Sequence, residues 1–152
     1  MYFPQLSSTN LLHQLPSYIK NKGKEHKFFL FAFLYCLSFY LLRISISSTL
    51  ELDEAELFRN STHLALIYED QPPLFSWIIW ALFKVLPAHL YTILLAKYIL
   101  IFIFYTSFYL ILKDLRGAKI ALLFASTLLL FPTYSYEFNR HLTHTVLVTT
   151  IA

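Results

Sequence analysis

Glycine and cysteine are almost missing from this 152-residue chain, which has two of the first and one of the second, and only 14% of its residues are charged. Each shortage excludes something. The one cysteine, Cys36, lies inside an apolar run, so an internal disulfide is excluded and the redox compartment stays open. The formal charge of +3 is small and no Lys/Arg-rich stripe runs along the chain, which argues against a nucleic-acid-binding surface. No internal repeat or low-complexity tract is present. What the chain does have is apolar: 57% hydrophobic residues, with 15 Phe and 11 Tyr, and a mean hydropathy of +0.56. That composition argues against a soluble single-core domain and suits lipid-facing helices, so the expected class is an all-α integral membrane protein.

Residues 1–27 are polar, interrupted by Pro4 and Pro16, then basic through Lys20, Lys22, Lys24 and Lys27. They read as a cytoplasmic N-terminal tail. The apolar run 28–42 follows, extended by 44–50 beyond Arg43, and a first span over 27–47 meets the roughly 20 residues that a membrane requires. A cleavable signal peptide fits less well: its basic region would be unusually long, and no small-x-small site precedes the acidic stretch. The apolar stretch 74–112 is too long for one span. Lys84, Pro87, His89 and Lys97 divide it into an interfacial helix, 74–86, with Trp77 and Trp80 at headgroup depth, and a second span over 91–112. A third span is expected over 120–138, kinked at Pro132. A fourth begins near Leu142, and its 11 residues to Ala152 would cover only about 16 Å of a hydrocarbon core of roughly 30 Å. The expectation is therefore about three complete transmembrane helices plus a truncated fourth, as the N-terminal piece of something longer.

Loop charge orients these spans. Residues 1–27 carry +3, residues 51–73 carry −5 and residues 113–119 carry +2. Because Lys and Arg stay on the cytoplasmic side, the tail and the 113–119 loop are inside. The acidic 51–90 loop, with two interfacial helices, is outside. Within it a helix is expected over 53–68, with Leu57, Phe58, Leu64 and Ala65 on one face and Glu56, Arg59, Asn60 and His63 on the other. Asp53 with Glu56 three residues on fits an N-terminal capping box, contributing about 1 kcal/mol. That structural role is compatible with a catalytic one. Pro72-Pro73 sets the chain direction before the next helix and tolerates the missing donor in its first turn.

Two groups of residues carry a resemblance. Asp53-Glu54-Ala55 with Gln71-Pro72-Pro73-Leu74 and Trp77 resembles the first outer loop of the GT-C glycosyltransferases, in the protein O-mannosyltransferase (family 39) and aminoarabinose-transferase-like group. Glu137-Phe138-Asn139-Arg140-His141-Leu142-Thr143-His144-Thr145-Val146-Leu147 is similar to an Arg-x-Leu-Thr-His-Ser/Thr-Val-Leu segment of bacterial members. The resemblance covers residues 43–152, which would make 28–152 the N-terminal part of a GT-C transmembrane domain. It implies hexosyl or pentosyl transfer from a polyprenyl-phosphate-linked donor to a lipid, glycan or protein acceptor, on the outer face of a bacterial inner membrane. In that chemistry Asp53 is the general base and Glu54 assists. The leaving phosphate needs cationic partners, for which Arg43, Lys97 and Arg140, all near the outer boundary, are candidates beside His144. The alternative for these cations is ordinary snorkelling.

Three positions depart from the family pattern. Gln71 stands where many relatives have Lys, and His144 and Thr145 stand where many have Asp. A divalent cation therefore has no clear ligand set, because His141 and His144 are two histidines alone. Two other readings compete with the enzyme. One is a non-catalytic membrane protein or degenerate remnant whose carboxylates serve as cap and solvated surface. The other is a transporter fragment, which would place charge at mid-span rather than at one boundary.

Overall fold

A computed structural model describes residues 8–47, 49–68, 72–140 and 143–152, with side chains from His26 onward except those of Thr133, Arg140 and Thr143. Among the described residues every regular element is a helix. Helix α1 spans Ser8–Ile46, α2 Leu52–Asn60, α3 Pro73–Phe83, α4 Leu90–Arg116 and α5 Ala118–Leu128. A π-helical turn, Thr133–Glu137, leads into the short α6, Phe138–Arg140, and α7 covers Thr143–Ile151. Among the described residues two stretches are long and apolar enough to cross a membrane, His26–Ile46 within α1 and all of α4. At 21 and 27 residues they measure about 32 and 40 Å.

Helix α4 is the axis of the molecule, with α1, α2, α3, α5 and α7 all packed against it. It runs antiparallel to α1, as the aromatic ladder between them shows. Phe28 stacks on Tyr109, Phe33 meets Phe102 edge-on, and Tyr40 meets Tyr98 edge-on. The two sequences thus meet in opposite order, and Arg43 at the end of α1 comes level with the first turns of α4. Side chains facing away from this seam stay exposed although apolar, among them Leu30, Ile99, Ile103 and Ile111. An apolar surface of that extent needs a covering that water does not supply.

Gly117 joins α4 to α5 and shows why a glycine stands there. Its φ of 84° and ψ of 161° lie in a region essentially reserved for glycine, and its N–H closes α4 on the Lys113 carbonyl at 2.8 Å.

The expected single helix over 120–138 is not what forms. Helix α5 ends at Leu128, and the N–H groups of Leu129, Leu130 and Phe131 bond three residues back, to Ser126, Thr127 and Leu128. Pro132 is the cause: it has no N–H to give and its ring crowds the carbonyl four residues earlier. Side chains reach the carbonyls of the π turn that follows. Tyr105 Oη donates to Tyr134 O at 2.9 Å and Tyr35 Oη to Ser135 O at 3.3 Å. Asn139 Nδ2 donates to Ser135 O and also to Tyr35 Oη, the latter at 2.9 Å. Irregular backbone is tolerated here because protein groups satisfy it.

The helix expected over 53–68 is also shorter, ending at Asn60. At its end the carbonyls of Leu57 and Arg59 each take a hydroxyl beside a backbone N–H: Ser61 Oγ donates to Leu57 O at 2.6 Å and Thr62 Oγ1 to Arg59 O at 2.7 Å. Residues 61–68 then form a loop. Tyr68 Oη, donating to His63 O at 2.8 Å, and Trp77 Nε1, donating to Ala65 O at 2.7 Å, hold it in place. Leu64, expected on the apolar face, is exposed, while Asn60, expected on the polar one, is buried.

Candidate active site around the acidic helix

Helix α2 forms where it does because Glu51 and Glu54 cap it reciprocally, with Glu51 N–H donating to Glu54 Oε2 at 3.0 Å. This corrects the expected box of Asp53 with Glu56, since the cap lies two residues earlier and Asp53 is already inside the first turn. Asp53 and Glu54 there, and Arg59 in the last turn, complement the helix dipole. The buried face of α2 is Glu54, Leu57 and Asn60. Leu57 reaches a core of Phe75, Ile79, Ile93, Ala96 and Leu147, which brings α3, α4 and α7 under the acidic helix.

Glu54 is 1% exposed and paired with Arg43, its Oε2 2.7 Å from Arg43 Nη2. Arg43 also donates to Ser47 O and Thr49 O, both at 3.0 Å. One guanidinium therefore ties the end of α1, the connection after it and the first turn of α2 together. Two charges taken out of water need this satisfaction to be tolerated. Arg43 and Glu54, expected to face substrate, meet each other.

Lys97 sits two turns into α4 and is fully buried, its Nζ donating to Asn139 O at 3.3 Å. The carboxylates of Glu54, Glu51 and Asp53 act on it electrostatically. His144, near the start of α7, packs edge-on against Phe75 and lies in the field of Asp53 and Glu56. The fold thus brings five of the six expected site residues, Asp53, Glu54, Arg43, Lys97 and His144, into one electrostatic neighbourhood at one end of the helices. The side chain of Arg140, and His141 entirely, lie outside the described residues, as does Gln71. Asp53 is half-buried and so remains reachable, unlike Glu54.

Several polar atoms here are buried with no hydrogen-bond partner among the described residues: Glu54 Oε1, Arg43 Nε, Ser76 Oγ, Asn139 Oδ1 and His144 Nε2. Beside His144 an apolar groove of about 350 Å³ runs between Pro72 and Leu74 on one side and Leu147, Val148 and Ile151 on the other. Chemically, the arrangement offers a reachable carboxylate, a buried ammonium and an imidazole next to an apolar channel. Among the described residues no group of three His, Cys, Asp or Glu side chains is placed to hold a metal ion. Ser76 was not singled out from sequence, although a polar residue within an apolar stretch is the signal that could have found it, and Asn139 entered only as part of the 137–147 segment.

Over 111 residues, 70% of the chain, the sequence is 36% identical to the lipopolysaccharide core galacturonosyltransferase RgtB of Rhizobium johnstonii. It is likewise 36% identical over 109 residues to RgtA of the same organism, also a lipopolysaccharide core galacturonosyltransferase. The similarity is to glycosyltransferases. The chain spans about a fifth of the length of these relatives, 22% and 21% respectively. No family model and no solved structure matches the chain.

Proposed function

We propose that this chain is the membrane-embedded, acidic-loop-bearing part of a GT-C-type glycosyltransferase. It uses a polyprenyl-phosphate-linked sugar donor and works on the outer face of a bacterial inner membrane, with α1 and α4 spanning the bilayer. The observation that carries the reading is the gathering of Asp53, Lys97 and His144 at one end of two membrane-length apolar helices, beside an apolar groove. The two relatives named for lipopolysaccharide core galacturonosyl transfer support sugar transfer as the reaction class and a lipopolysaccharide core sugar as acceptor.

In this reading the acceptor hydroxyl oxygen attacks the anomeric carbon while Asp53 takes the hydroxyl proton. The bond from the anomeric carbon to the phosphate oxygen breaks, and the electron pair leaves with polyprenyl phosphate. The added negative charge on that phosphate is met by Arg140, with the buried Lys97 ammonium acting through its field, and His144 holds the donor beside the groove. Glu54 assists indirectly, by fixing α2 through Arg43 so that Asp53 keeps its position. A carboxylate presented from a capped, core-anchored helix suits a base that must meet its proton at hydrogen-bond distance.

The test is transfer of labelled sugar from a polyprenyl-phosphate galacturonate donor to lipopolysaccharide core, in membranes carrying the whole polypeptide. Asp53→Asn is expected to lower turnover by about 10²-fold or more with membrane insertion unchanged. Undiminished turnover would reject Asp53 as the base.

A further inference from the structure

A second cationic place lies at the end of the helices opposite the acidic loop, and the candidate active site makes no use of it. Lys27, from α1, and Lys119, from the first turn of α5, line one groove of about 470 Å³ together with Phe28, Phe31, Leu122 and Ser126. Among the described residues no acidic side chain lines it. Phe28 is fixed as its wall by stacking on Tyr109 with ring centroids 4.3 Å apart. Phe31 and Leu122 remain exposed within it. Helix α5 starts at this groove with no acidic residue in its first turn and no side-chain cap, so the positive end of its dipole adds to the two ammonium groups.

Depth sorts these groups. Lys27 stands at the edge of the membrane-length stretch His26–Ile46, where headgroups lie when that stretch spans a bilayer. Phe31 is a turn further along the same helix, and Leu122 is nearly a turn beyond Lys119. The groove is thus cationic at its rim and apolar below. A single boundary lysine would be ordinary snorkelling, but here cations from two separate helices flank one apolar-walled channel. A ligand complementary to it has an anionic head and a hydrocarbon tail.

We infer that this groove holds an anionic phospholipid of the inner leaflet, its phosphate between Lys27 and Lys119 and an acyl chain along Phe31 and Leu122. The inference rests on the membrane-spanning part of the proposed function and is independent of the sugar-transfer part.

The experiment reconstitutes the chain in phosphatidylcholine vesicles containing phosphatidylglycerol and first scores its retention after carbonate extraction. Electron spin resonance then compares the protein-restricted fractions of spin-labelled phosphatidylglycerol and spin-labelled phosphatidylcholine. The expected preference for phosphatidylglycerol is on the order of tenfold, from two lysines near the surface. It falls severalfold in the Lys27→Gln/Lys119→Gln double variant and is kept in Lys84→Gln, whose ammonium lies over Trp80 at the other end. Retained protein that does not distinguish the two lipids overturns the inference, and so does a double variant with undiminished preference. Loss of retention overturns the membrane reading and the inference together.

Discussion

The pairing of Arg43 with Glu54 makes a quantitative prediction about how the acidic helix is held. Glu54 is 1% exposed and Arg43 12%, so removing either partner strands a charge away from water, at a typical cost of roughly 3–5 kcal/mol. The two changes are not equivalent. In Glu54→Gln, Arg43 keeps the carbonyls of Ser47 and Thr49 and the amide oxygen can still accept from Glu51 N–H, so the lower end, about 3 kcal/mol, is expected. In Arg43→Met the nearly inaccessible carboxylate keeps, as hydrogen-bond donor among the described residues, only the Glu51 N–H, with the Lys97 ammonium in its field, and a cost toward the upper end, about 5 kcal/mol, is expected. The Arg43→Met/Glu54→Gln double variant removes both charges and should recover much of that loss, with a coupling of about 2 kcal/mol or more. Denaturant unfolding in detergent micelles reads these values through the fluorescence of Trp77 and Trp80, which lie on α3 against α2. Additive single changes, or single costs below about 0.5 kcal/mol as at ordinary surface positions, would refute the clasp.

Two further changes probe the frame. Gly117→Ala is expected to cost about 1–3 kcal/mol by forcing alanine into a glycine-only conformation; because a Cβ there meets nothing within 4 Å, the loss is one of backbone alone, and thermal unfolding measures it. Tyr105→Phe removes the donor to Tyr134 O and should cost about 1–3 kcal/mol, with faster amide exchange across Thr133–Glu137; unchanged exchange there would show that the π turn does not depend on this bond.

Much of the helix plan was legible because long apolar stretches admit few alternatives. The expected span 91–112 falls within α4 and the expected 27–47 overlaps α1 up to its end at Ile46, and Pro73 opens α3 as the double proline implied. Where the reading went wrong, local competition decided. Helix α2 ends where the Ser61 and Thr62 hydroxyls fold back on its last carbonyls, local bonding that a helical wheel does not weigh. Pro132 breaks the 120–138 segment rather than bending it, since Tyr35, Tyr105 and Asn139 are there to satisfy the broken backbone. The cap moved from Asp53 to Glu51 because Glu54 is drawn inward by Arg43, a contact formed across 11 residues of chain.

The sequence by itself determined the class of surface, the placing of acidic and basic ends and the short list of chemically able residues, because these follow from composition and spacing. Only the tertiary structure decided which of those residues meet. Packing of α1 antiparallel to α4 brings Arg43 to Glu54 and turns two expected substrate contacts into a clasp. The same packing buries Lys97 against Asn139 and sets His144 in the field of Asp53. A carboxylate's neighbours depend on where distant helices cross, and one-dimensional spacing does not contain that information.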